Sequence, residues 1–209
     1  MITAAEALER LREGNARYAA NVRSLDTLLS HTRRADLVAG QTPYAIILGC
    51  SDSRVPAELV FDQGLGDLFV IRVAGNIVAP SQIGSVEFAA TQLSTRLVVV
   101  LGHTQCGVIL ATMEELQRPV ENRSRSIQAI VDRVRPSVQD LFGTDLRHDH
   151  AALIRHAVRA NVRASVNQLR HGSEILERLI AEDGLMVVGA EYSLETGKVE
   201  FFEGVGAAV

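Results

Sequence analysis

Three short apolar runs stand out in the middle of the chain, at residues 44–48, 68–73 and 97–101. Each is continuous rather than alternating, the pattern of strands covered on both faces, as in a parallel sheet. A fourth run at 185–188 follows a helical stretch that stops at Asp183-Gly184. Glu195-Thr196-Gly197-Lys198 then reads as a turn into an edge strand at 199–202. Helical spacing fills the intervals. Pro80 suits the first turn of a helix with Ile83, Val86, Ala90 and Leu93 on one face. A second spans 108–116, and a long one carries Ile154, Val158, Val162, Val166 and Leu169 as a stripe facing a core. At the start, Thr3 with Glu6 forms a capping box ahead of Leu8, Leu11 and Tyr18. A further helical pattern begins near Ser24, with Leu25, Leu28, Leu29 and Leu37 apolar, and Gly40 and Pro43 end it.

Strands alternating with helices predict an α/β fold. It has a mainly parallel central sheet of four strands, an antiparallel edge strand and flanking helices. The expected organisation is one domain over 1–209, with an N-terminal helical arm at 1–40 and an α/β core at 41–209. The polar segment 118–150, helical near 127–134, finds no clear place in this scheme.

The chain has 209 residues, 47% hydrophobic and 22% charged, the mixture of a globule with a full core. That excludes disorder, a collagen-like chain and a disulfide-stapled miniprotein. No apolar run approaches the ~18 residues needed to span a bilayer, and no basic-then-apolar leader opens the sequence. The cytoplasm is the expected compartment, where thiols stay reduced. A net charge of −4 argues against a nucleic-acid binder. The two cysteines, Cys50 and Cys106, therefore point to metal binding or catalysis ahead of a disulfide.

The chemistry concentrates just past two of the predicted strands. One runs into Cys50-Ser51-Asp52-Ser53-Arg54, the other into His103-Thr104-Gln105-Cys106-Gly107. Ligands of open α/β sheets bind beyond the carboxyl ends of the strands. Cys50, His103 and Cys106 offer two thiolates and an imidazole, the donors zinc prefers. A structural zinc wants four protein ligands, a catalytic one three and an open position; the count leans to the second. Asp52 and Arg54, two residues apart, can pair as carboxylate and guanidinium fork. A carboxylate so held beside a metal can orient a water on it. Taken singly, Asp52 and Arg54 also read as a solvated surface pair, and Cys50 as a plain buried thiol. The conjunction of all of them at two strand ends is what carries weight.

At these residues the chain resembles the β class of carbonic anhydrases, whose signature is Cys-x-Asp-x-Arg followed some fifty residues later by His-x-x-Cys. The likeness continues through Gly14-Asn15-Ala16-Arg17-Tyr18, Phe61-Asp62-Gln63-Gly64, Arg72-Val73-Ala74-Gly75-Asn76, Gly84-Ser85-Val86-Glu87-Phe88 and Tyr192-Ser193-Leu194-Glu195-Thr196-Gly197. It implies reversible hydration of carbon dioxide to bicarbonate and a proton by hydroxide on zinc. One zinc per chain would sit on Cys50, His103 and Cys106, with Asp52 and Arg54 as the orienting pair. It places Gln41, Phe69, Ala74 and Phe88 around the substrate, some from a neighbouring subunit; locally, Gln41 also reads as a turn residue and the phenylalanines as core. It implies a homodimer or homotetramer, with the N-terminal helices embracing a partner.

Some members of the family hold a non-catalytic bicarbonate on a tryptophan, an arginine and a tyrosine. Here those positions are Ile47, Arg72 and Tyr192, and the chain has no tryptophan. The expectation is the accessible, plant-like site; in the rival closed form Asp52 leaves Arg54 and binds the metal. Two other functions fit the same residues: a zinc hydrolase of carbonyl sulfide or carbon disulfide, and a non-enzymatic thiol redox or binding protein. His148-Asp149-His150 and the stripe Arg155, Arg159, Arg163 are read as surface or contact features.

Overall fold

The computed structural model describes residues 2–22, 34–117 and 124–205. The helical pattern expected from about Ser24 to Gly40 lies outside these residues up to position 33; at its far end Leu37–Ala39 form a 3-10 turn that stops at Gly40. Among the described residues the sheet has five strands in the order β2-β1-β3-β4-β5. These are β1 (Ala45–Cys50), β2 (Leu68–Val73), β3 (Leu97–His103), β4 (Met186–Tyr192) and β5 (Val199–Glu203). The first four run parallel, and β5 pairs antiparallel with β4, which is the expected fold class. Every residue of the central strands β1 and β3 is buried. With both faces covered, their side chains cannot alternate between core and solvent, hence the continuous apolar runs.

The structure extends the central strands beyond the predicted ends. Cys50 closes β1 opposite Val73, and His103 closes β3 opposite Tyr192. The apolar pattern stops earlier because ladder bonding uses the backbone and is indifferent to a thiol or an imidazole.

Helix α1 (Ala4–Ala19) begins at the Thr3 capping box, formed as expected. Its Ala4, Ala7, Leu8 and Leu11 pack against Ile47, Val99 and Val188 on one face of the chain's own sheet. The apolar stripe of α1 thus finds its surface on the chain's own sheet. Asn15 ties α1 down further, donating to the carbonyls of Val60 and Gly197 and accepting from the Val199 amide. A short helix α2 (Ala57–Val60), absent from the sequence reading, follows β1.

The opposite face is covered by α3 (Pro80–Gln92), α6 (His150–His171) and α7 (Glu174–Glu182). Helices α4 (Gly107–Gln117) and α5 (Arg125–Val138) close a third cluster around the carboxyl ends of the strands, with Cys50 and Cys106 among its members. That cluster gives much of the unplaced polar segment its position: Val131, Val134 and Val138 are the buried stripe of α5. Among the described residues, no helix is long and apolar enough to cross a membrane.

Candidate metal centre

Strands β1 and β3 are parallel neighbours, so Cys50 and His103 emerge at the same edge of the sheet. After His103 the chain turns through Gln105, which takes a left-handed φ of 54°. The turn reverses direction within two residues and returns Cys106 toward the strand ends. One donor atom from each of Cys50, His103 and Cys106 then lies within 4.8 Å of the others, and all three residues are buried. Donors on a tetrahedral zinc at 2.0–2.3 Å stand about 3.5–3.8 Å apart. A cluster confined within 4.8 Å is compatible with that spacing.

The donor chemistry fits a metal as well as the spacing does. The Thr104 carbonyl lies 2.9 Å from His103 Nδ1 and accepts a hydrogen bond from it. That leaves the Nε2 lone pair facing inward, buried and, among the described residues, without a hydrogen-bond partner. A buried imidazole nitrogen left unpaired is costly, and a cation between it and two thiolates removes the cost. Cys50 and Cys106 are not joined in a disulfide. The contact with Cys106 holds the Cys50 thiol down to about 4 against the opposing effect of burial, and His103 and the Gly75 amide add to the lowering. The same contact, with burial, pushes Cys106 up.

Asp52 and Arg54 form a fork at the rim. Arg54 donates from Nε to Asp52 Oδ1 at 2.9 Å and from Nη2 to Oδ2 at 2.7 Å, and its backbone amide adds a bond to Oδ1 at 3.0 Å. The Arg54 guanidinium holds the Asp52 carboxyl well below the usual carboxylate range, outweighing its partial burial. Asp52 Oδ2 stands 3.8 Å from His103 Nε2. The carboxylate thus borders the donor cluster while its strongest contacts are to arginine.

Contacts beyond the donor set and the Asp52–Arg54 pair hold this arrangement together. Arg72 donates to the carbonyls of Cys50 and Asp52 at 3.1 and 2.7 Å. Arg54 also reaches the Gln105 carbonyl at 3.3 Å, tying the two loops together. Glu195 accepts from Thr104 and Gln105 at 3.0 and 2.9 Å. The signal for Arg72 was its place at the end of the second apolar run; the pairs spanning ninety residues had none. Arg72 and Tyr192, two of the three positions expected of an anion site, are engaged otherwise: Arg72 as above, and Tyr192 with the Tyr18 hydroxyl at 3.1 Å. Ile47 is fully buried in the core.

Of the residues assigned to a substrate pocket, only Ala74 lies near the cluster, next to Gly75, whose amide donates to Cys50 Sγ at 3.3 Å. Phe69 pairs with Ile46, four residues back from Cys50, or about 13 Å along a strand. Its ring stacks 6.2 Å from that of Phe88, which is 49% exposed. Gln41 precedes β1 and lines a groove of about 590 Å³ with Tyr44, Asp67 and Arg96. A single chain therefore keeps Gln41, Phe69 and Phe88 at the far end of β1 from the donors. His148 accepts from Arg147, and Asp149 caps α6. Arg159 is bound to Glu191 and Glu200, and Arg163 to Glu203.

The chain is similar to known proteins along most of its length. The family model for carbonic anhydrase matches residues 45–199. A curated relative, carbonic anhydrase 2 of Mycobacterium tuberculosis, is 38% identical over 200 residues, covering 96% of this chain and 93% of its own. Among solved structures, the β-carbonic anhydrase of Coccomyxa in complex with acetazolamide superposes with a TM-score of 0.69 at 25% identity, covering 93% of this chain and 86% of that one. The β-carbonic anhydrase CafA of Aspergillus fumigatus shares the fold, with a TM-score of 0.72 at 24% identity over 97% of this chain and 91% of that one.

Proposed function

The chain belongs to the carbonic anhydrase family, and we propose that it is a zinc enzyme catalysing the reversible hydration of carbon dioxide to bicarbonate and a proton. The observation that carries this reading is the donor set: two cysteines and a histidine whose inward nitrogen has no other partner, bordered by an arginine-held carboxylate. Cys50, His103 and Cys106 would hold one zinc per chain. Bound there, zinc supplies Lewis-acid activation of water near neutral pH.

The chain's own groups do the rest. Asp52 remains ionised because Arg54 grips both of its oxygens. It therefore accepts a hydrogen bond from the reacting water and aims the water's lone pair at the carbon of the substrate. Arg72 fixes the backbone beneath it, so the acceptor pays no reorganisation when charge moves, the condition for electrostatic catalysis. The pairing of Asp52 with Arg54 favours the accessible form of the site.

Gln41, Phe69 and Phe88 serve as substrate-binding residues only if they come from a second copy of the chain, with Ala74 supplied by the first. This favours a homodimer, or a tetramer built from dimers, with the exposed Phe88 face as the contact.

The test is carbon dioxide hydration by stopped flow on protein with its zinc measured. The wild type is expected to carry about one zinc per chain and to turn over, and Cys50→Ser to lose both together. Turnover by protein stripped of metal overturns the reading. Running carbonyl sulfide and carbon disulfide beside carbon dioxide decides the substrate.

A further inference from the structure

Helix α6 turns Val158, Val162, Val166 and Leu169 inward. It sits close on the sheet because β3 carries a glycine beneath it; a Cβ on Gly102 would lie 2.6 Å from Val162. Two polar residues interrupt this apolar face, Asn161 and Ser165, 2% and 4% exposed. A polar group buried this deeply costs free energy unless it is hydrogen-bonded. Both find partners in one turn: Asn161 Nδ2 donates to the Gly75 carbonyl at 2.8 Å, and Ser165 Oγ to the Asn76 carbonyl at 3.0 Å.

That turn is left-handed, with φ of 76° at Gly75 and 43° at Asn76. A non-glycine residue holds such a conformation only where its surroundings over-determine it. Pinning the Gly75 carbonyl fixes one side of that residue. Val108 walls the other, since a Cβ at Gly75 would come within 2.8 Å of it. What remains free is the Gly75 amide, and it donates to Cys50 Sγ.

We propose that Asn161 and Ser165 are positioning residues for the metal centre, holding the Gly75 amide as a donor to the sulfur of Cys50. The inference rests on the reading of Cys50 as a metal ligand. An N–H···S bond fixes the direction of the sulfur and draws electron density from it, as partners beyond the ligands commonly do for metal sites. Losing the bond leaves a looser and more electron-rich sulfur donor.

Cobalt(II) loaded into the full chain reads this directly. A sulfur-to-cobalt charge-transfer band reports the thiolates, and the visible ligand-field bands report geometry. In Asn161→Ala the charge-transfer band is expected to move to longer wavelength while the ligand-field bands hold. Cobalt should also be lost to a chelator roughly 10-fold faster or more. Ser165→Ala should shift the band the same way by less, and Ser165→Thr, which restores a hydroxyl, should return it. A role confined to fastening α6 would lower Tm without moving the band. Alanine variants with wild-type circular dichroism, wild-type bands and wild-type cobalt loss overturn the inference alone. If Asn161→Ala does not fold, Ser165→Ala decides. A wild type that takes up cobalt with no sulfur band overturns the metal reading itself, and the inference with it.

Discussion

Asp52→Asn separates orienting the reacting water from holding the metal, because it changes chemistry with almost no change of shape. The carboxylate accepts three hydrogen bonds from Arg54, two on Oδ1 and one on Oδ2. An asparagine oxygen can keep the first two. Its amide nitrogen then faces Arg54 Nη2 donor to donor, across a gap that is 2.7 Å in the wild type. Whichever way the amide turns, the ionised acceptor beside His103 Nε2 is gone, while the three metal donors are untouched. Losing one preorganised contact of this kind costs roughly 10²–10³-fold in kcat. The Arg54 side chain is half exposed, so the pair contributes little to folding, and Tm should stay near the wild-type value. The assay is stopped-flow hydration of carbon dioxide by wild type and Asp52→Asn matched for zinc content. Full turnover by Asp52→Asn refutes the orienting role. Loss of zinc from it would instead make Asp52 a ligand, as in the closed form.

The exposed Phe88 face is expected to carry the subunit contact, so Phe88→Glu should shift the protein toward monomer in sedimentation and lose hydration with it; an active monomer would sever Gln41 and Phe69 from the site. Asn15→Ala removes three hydrogen bonds, one buried and two part-buried, that tie α1 to α2, to the turn at Gly197 and to the start of β5, and should cost about 2–4 kcal/mol in urea unfolding; a change under about 0.5 kcal/mol would mean that α1 is not fastened there. Burial, with the Tyr18 hydroxyl, pushes Tyr192 up to about 12 from an ordinary 10.0. The folded state therefore favours the neutral phenol, so its contribution is whole below pH 10 and is lost as pH rises toward about 12. Melting curves across that window should fall for the wild type and fall less for Tyr192→Phe.

What the chain reveals in advance depends on whether a signal is local. Continuous runs at 44–48 and 97–101 announce central strands because burial on both faces leaves no polar position to alternate. Cys50 and His103 were legible as donors because each stands next to such a run, and strand ends are where open sheets bind ligands. Their confinement within 4.8 Å with Cys106 also needed the register of β1 against β3, which no run encodes. The supports were hidden for the same reason. Asn161 and Ser165 sit on α6 some ninety residues from the turn they hold, and on a helical wheel they look only like flaws in an apolar stripe. Such a flaw is informative, since a buried amide left unpaired would be selected against on cost alone, so each must have a partner across the fold. The Gln41 reading turns on geometry of another kind. A residue nine positions before Cys50 cannot reach it when five of the eight intervening ones lie straight in β1. If Gln41 binds substrate, it does so in another subunit's site, and the length of one strand becomes an argument for assembly.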